Sequence, residues 1–254
     1  MPSHRENNHS TNDRSMDRRE FCTAGARMLV ATVVAAAGCR SQQPQSPHRL
    51  DLQEVLRGYH FIDDEGQPFI VGSAADANAN LNAAALGRRL GGRPTVVLAG
   101  FAGCEDYCKP NLHILGCAVR EMRPHPVNII LLNVRPDKDG VSEQTRTRYR
   151  QKVMAQLGIS DASDASAHVT ILYPTRNGAV SYESALLVPK IMTQRMGLKT
   201  NPGDPEQHSS TFVLYGPDLR EIHRVPSAKL EDPRARSAWT APIIASTRHA
   251  GQSR

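Results

Sequence analysis

No uncharged apolar stretch in this chain is long enough to cross a bilayer as a helix, which takes about 20 residues. The best candidate, Met28 to Gly38, has eleven. Blocks of five or more like charges are also missing, so the formal net charge of +6 is scattered. No aromatic residues interleave with the basic ones, which argues against a nucleic-acid surface and leaves no nucleic acid among the expected partners. Aromatic residues make up only 5% of the chain, so any core must be built from aliphatic and small side chains. There is no glycine-rich phosphate loop, and no serine sits in a recognisable nucleophile elbow. Cysteine is sparse, at five residues, and that scarcity makes each position informative.

The first 38 residues read as an address rather than as structure. Met1 to Asp17 is polar and aperiodic, Arg18-Arg19-Glu20-Phe21 follows, and the short apolar run comes next. This order resembles a twin-arginine export signal. The run ends in Ala36-Ala37-Gly38-Cys39, which looks like a bacterial lipobox, with Cys39 as the lipidation site. Residues 1–38 are therefore expected to be the export signal, and residues 39–57 a lipid-anchored linker, with Ser41 to Pro47 rich in Gln, Ser and Pro. The expected location is exported, membrane-anchored and on the extracytoplasmic (periplasmic) side. With Cys22 removed and Cys39 acylated, Cys104, Cys108 and Cys117 remain in a compartment that permits disulfides.

The folded part is expected over residues 58–226, with an irregular C-terminal tail at 227–254. Tyr59 to Ile62 and Pro68 to Val71 flank the turn Asp63-Asp64-Glu65-Gly66 and read as a hairpin. Leu81 to Leu90 has helical spacing and stops at Gly91-Gly92. Thr95 to Phe101 and Val127 to Val134 read as buried strands, and His168 to Tyr173 as strand-like. Between them lie a helix from Cys108 to Met122, with Leu112, Leu115, Val119 and Met122 on one stripe, and a charged helix from Val141 to Leu157. Thr211 to Tyr215 and Glu221 to Val225 form a second hairpin. Alternating strands and helices predict an α/β fold with the Thr95 and Val127 strands side by side.

Cys104 and Cys108 fall just after the Thr95 strand, at a strand-to-helix junction where reactive groups collect. Four residues apart, two thiols can share one face of a helix. They could bind one soft metal ion, exchange with a partner's disulfide, or form a plain structural bridge. The helix N-terminus and the adjacent Lys109 are expected to favour thiolate. His208 lies in the loop before the Thr211 strand, and imidazole suits copper and zinc. Cys117 is expected to face the core, and Asp137 and Asp139 to cap the helix that follows or to sit in solvent.

Taken together, several segments resemble the Sco/SenC family of copper chaperones. They are Gly66-Gln67-Pro68-Phe69, Arg93 to Phe101, Cys104-Glu105-Asp106-Tyr107-Cys108, Asn133 to Asp139 and His208 to Asp218. The resemblance runs from about Gly58 to Val225. It implies a thioredoxin-like fold, a central mixed β-sheet flanked by helices with an N-terminal hairpin. It also implies copper held by Cys104, Cys108 and His208, and delivery to a copper-acceptor protein such as a cytochrome oxidase subunit. The chain departs from the family in having Glu105 and Lys109 where prolines follow the cysteines, and Arg135 where an acidic residue precedes Pro136. Two other functions remain open beside the metallochaperone. One is a thiol-disulfide oxidoreductase acting through Cys104 and Cys108 on a thiol-redox partner. The other is a lipoprotein with a structural disulfide.

Overall fold

The structure is a computed structural model that describes residues 50–71, 86, 89, 90, 92–104, 108–159, 166–201 and 203–251. The export signal, Cys39 and most of the Leu81–Leu90 segment lie outside the described residues. A seven-stranded sheet runs in the order β2-β1-β5-β4-β3-β6-β7. Its strands are β1 (His60–Ile62), β2 (Pro68–Ile70), β3 (Thr95–Gly100), β4 (Val127–Asn133), β5 (Ala167–Thr175), β6 (Thr211–Tyr215) and β7 (Glu221–Pro226). Strands β3, β4 and β5 are parallel, while β6 lies antiparallel to β3 and β1 antiparallel to β5. The expected thioredoxin-like layout, a mixed sheet flanked by helices with an N-terminal hairpin, is the one observed.

Strand alternation explains why both faces are covered. Val96, Leu98, Ile129, Leu131, Phe212 and Leu214 point to one side and pack with helices Cys108–Glu121 and Glu143–Leu157. Val97, Ala99, Ile130, Leu132, Val213 and Tyr215 point to the other and pack with Leu52, Leu56, Val188, Ile191 and Met192. A sheet buried on both sides reads as near-continuous apolar runs, and β3 and β4 are buried throughout. Helix packing is close where Cys108–Glu121 meets the end of Glu143–Leu157. A Cβ on Gly116 would lie 2.1 Å from the Leu157 carbonyl oxygen, so only glycine allows that approach.

Three boundaries differ from the sequence reading. Residues 52–56 do not belong to a linker. They form a helix capped by Asp51, whose carboxylate accepts from Gln53 N at 2.8 Å, and Leu52, Val55 and Leu56 are buried. The short segment carries too few residues for a periodicity to show. The Glu143–Leu157 helix begins after Ser142, which closes a capping box with Thr145, so neither Asp137 nor Asp139 caps it. The irregular tail is the largest correction. Ser227–Glu231 is a 3-10 turn and Pro233–Gly251 a helix that seats Trp239 and Ile243 in the core. Pro242 inside that helix and its many charged and hydroxyl residues mask a two-residue apolar anchor that only the sheet completes.

Candidate metal centre

The carboxyl end of β3 carries the first ligand candidate. After Gly100 the chain turns at Ala102-Gly103, with Cys104 N donating to Phe101 O at 3.3 Å. Cys108 lies in the helix Cys108–Glu121, and its backbone N–H donates to Cys104 Sγ at 3.1 Å. Gly100 makes room for the second sulfur: a Cβ there would stand 3.3 Å from Cys108 Sγ and 3.6 Å from the Tyr149 hydroxyl.

His208 arrives from a segment 100 residues further on. Because β6 runs antiparallel to β3, with Thr95 opposite Tyr215 and Val97 opposite Val213, the start of β6 lies beside the end of β3. His208 Nε2 stands 3.7 Å from Cys108 Sγ. Its Nδ1 lies 3.2 Å from Ser209 O, and a proton held there leaves the Nε2 lone pair facing the thiols. The ring also meets Phe101 edge-on at 6.4 Å between centroids.

The three donor atoms of Cys104, Cys108 and His208 all lie within 4.8 Å of one another. A metal held at about 2.3 Å from sulfur and about 2.0 Å from nitrogen, in a trigonal plane, would separate the two ligand atoms by roughly 3.7 Å. The observed separation of 3.7 Å fits such an ion. The donor set, two sulfurs and one imidazole, suits a soft or borderline ion rather than Mg²⁺ or Ca²⁺. Cys108 is buried, while Cys104 and His208 are half-buried, so one side of the site stays open to solvent.

Burial overrides the expected thiolate at Cys108. Desolvation pushes this thiol's pKa far up, and the hydrogen bond with Cys104 pushes it further, against smaller opposing effects from the Phe101 backbone and Lys152. Lys109 is exposed and does not set this balance. A metal taken up at Cys108 would have to displace a proton.

Three features escaped the sequence. Asp139, read there as a helix cap or solvated residue, is buried and accepts from Ala102 N at 2.9 Å and Asn133 Nδ2 at 3.0 Å. It ties the Cys104 loop to β4, and burial raises its pKa. The Tyr149 hydroxyl is buried beside Cys108 with no hydrogen-bond partner among the described residues. Glu206 bonds Arg135 just before His208. Only Asp139 had a signal, its place in the Asn133 to Asp139 segment. Cys117 does not face the core. It is half-buried and accepts from Arg120 Nη2 at 3.1 Å. The core stripe of the helix is the one that holds Cys108, so a residue half a turn round from it must point away.

No protein-family model matches the sequence, and no curated protein matches it. Solved structures do. A SCO1/SenC family lipoprotein from Bacillus anthracis str. Ames aligns with a TM-score of 0.52 at 16% identity, covering 80% of this chain and 98% of that one. Arabidopsis thaliana ScoI with copper bound aligns with a TM-score of 0.45 at 16% identity, covering 75% and 96%. Bradyrhizobium japonicum ScoI with copper bound aligns at 0.42 and 17%, covering 73% and 96%. The chain described here has the fold of the SCO1/SenC family lipoprotein.

Proposed function

We propose that this chain is a Sco/SenC-type copper chaperone. It binds Cu(I) through Cys104, Cys108 and His208 and passes it to an acceptor such as a cytochrome oxidase subunit. The convergence of two sulfurs and one imidazole nitrogen within 4.8 Å carries the reading. Thiolate sulfur and imidazole together prefer Cu(I) or Zn among biological ions. Three ligands leave a coordination position free, and the solvent-facing side gives an acceptor's ligand a way to enter and displace one donor at a time.

Titration of the reduced protein with Cu(I) under anaerobic conditions, against a competing chelator, should show one equivalent bound. His208→Ala should weaken binding by roughly 100-fold or more, since losing a direct ligand costs at least as much as losing an outer partner of one. Wild-type affinity in that variant would remove His208 from the site.

The location is part of the same reading. Export by residues 1–38 and acylation of Cys39 would tether the domain on the periplasmic side, as the name of the Bacillus anthracis neighbour, a lipoprotein, supports. Intact mass of the membrane-extracted protein is expected to correspond to a chain starting at Cys39 plus acyl groups. A chain starting at Met1 or Met16 would refute the anchor.

One observation favours a second activity. The Cys108 N–H bond to Cys104 Sγ stabilises a thiolate on the more accessible sulfur. That thiolate can attack a partner's disulfide, releasing one partner thiolate. Cys108 then displaces the other, leaving a Cys104–Cys108 disulfide and a reduced partner. This reaction does not use the imidazole, so His208→Ala separates the two functions.

A further inference from the structure

We propose that Arg135 is the positioning residue that holds His208 over the two thiols, acting through Glu206; the inference rests on the metal-site reading above. Arg135 follows β4 and is only 13% exposed. Its guanidinium is fixed on three sides. Nε and Nη2 grip Asp137 at 3.0 and 2.9 Å, and the plane lies 5.5 Å over the Tyr182 ring. The remaining Nη1 donates to Glu206 Oε1, and Lys138 adds a second cation 3.5 Å from the same oxygen. A planar fork held this way is pre-organised, so Glu206 meets a donor whose ordering has already been achieved.

Glu206 sits two residues before His208, on a loop that also buries Pro205. Most of that loop's hydrogen bonds are internal. Asn201, Asp204 and Gln207 bond one another's backbones, and Glu206 N donates to Asp204 Oδ1 at 2.9 Å. The pair Arg135–Glu206 gives the loop a polar tie to the body of the domain, beside the packing of Pro205 and the edge contact of His208 with Phe101. The connection continues inward. Arg135 N donates to Asn133 Oδ1 at 2.8 Å, Asn133 Nδ2 to Asp139 at 3.0 Å, and Asp139 receives Ala102 N, two residues before Cys104. One polar chain at the end of β4 thus fixes both halves of the site, the thiol loop through Asp139 and the imidazole loop through Arg135.

With Glu206 at the surface, this ion pair contributes little to global stability. Its effect belongs in the ordering of the loop, and so in the metal affinity. Arg135→Gln and Glu206→Gln, each in the full-length protein, should weaken Cu(I) binding about tenfold, the lower end of the effect of removing an outer partner of a metal ligand. The double variant should be no weaker than either single one, because both remove the same bond. Amide hydrogen exchange of residues 203–210 in the metal-free protein should quicken in both variants and stay unchanged in the core strands. Additive losses, or exchange as slow as in the wild type, would overturn the proposal. If the wild type itself takes up no Cu(I), the metal reading fails. The exchange measurement, which needs no metal, then decides by itself whether Arg135 holds the loop.

Discussion

Cys108→Ser is expected to lower Cu(I) affinity by more than about 100-fold while the protein stays folded. The hydroxyl that replaces the thiol is a hard, neutral donor at neutral pH, whereas Cu(I) is selected by thiolate. The position is buried and His208 Nε2, 3.7 Å from the sulfur, lies beyond hydrogen-bond reach of the shorter serine side chain, so the hydroxyl also costs about 1–3 kcal/mol of stability. Cys117→Ser is the matched control. Cys117 lies half a turn round the same helix, engaged by Arg120, and its loss should leave Cu(I) binding unchanged. Equal affinities for wild type and Cys108→Ser, measured by anaerobic competition titration, would mean that the buried sulfur is not a ligand.

Trp239→Ala should destabilise the fold by about 3–5 kcal/mol, a large-to-small change in a filled core. Trp239 is 2% exposed, packs against Phe212 with ring centroids 6.4 Å apart, and belongs to the same core as Leu115, Val119 and Ile129. Thermal unfolding should register a drop of roughly 6–20 °C, since 1 kcal/mol moves the midpoint by about 2–4 °C at this size. A substitution in a solvated tail would stay within about 0.5 kcal/mol. The measurement therefore distinguishes a C-terminal helix that completes the core from an irregular extension.

The parts of the fold that could be read in advance are those with one dominant pattern. β3 and β4 are buried at every position and mostly apolar because both faces are covered, and runs such as Val96-Val97-Leu98 and Ile129-Ile130-Leu131-Leu132 show it directly. The helix after the cysteines was legible from Leu112, Leu115, Val119 and Met122. The closing helix was not, because Trp239 and Ile243 form a short anchor among Arg, Ser, Thr and Pro. Tertiary contact with Phe212 supplies what periodicity does not. In the site, Cys104, Cys108 and His208 were legible through residue type and resemblance, and the structure brings them together. The environment of the sulfurs was not. Lys109 looked like the group that would set thiol acidity, yet it points to solvent, and burial against β3 sets it. Arg135 looked like a departure beside the site. Only the folded chain shows Glu206 waiting for it.

The antiparallel pairing of β3 with β6 has an evolutionary corollary. Continuing the register Val97 opposite Val213 brings Ser210 opposite Gly100, so the two ligand-bearing loops are neighbours whatever the chain does in between. Additions at the Asn177-Gly178 turn would lengthen the detour without changing where it returns, and longer surface detours carry only a slowly growing entropic penalty. Lineages are thus free to rebuild the outer part of this excursion, as long as the few residues around Glu206 survive.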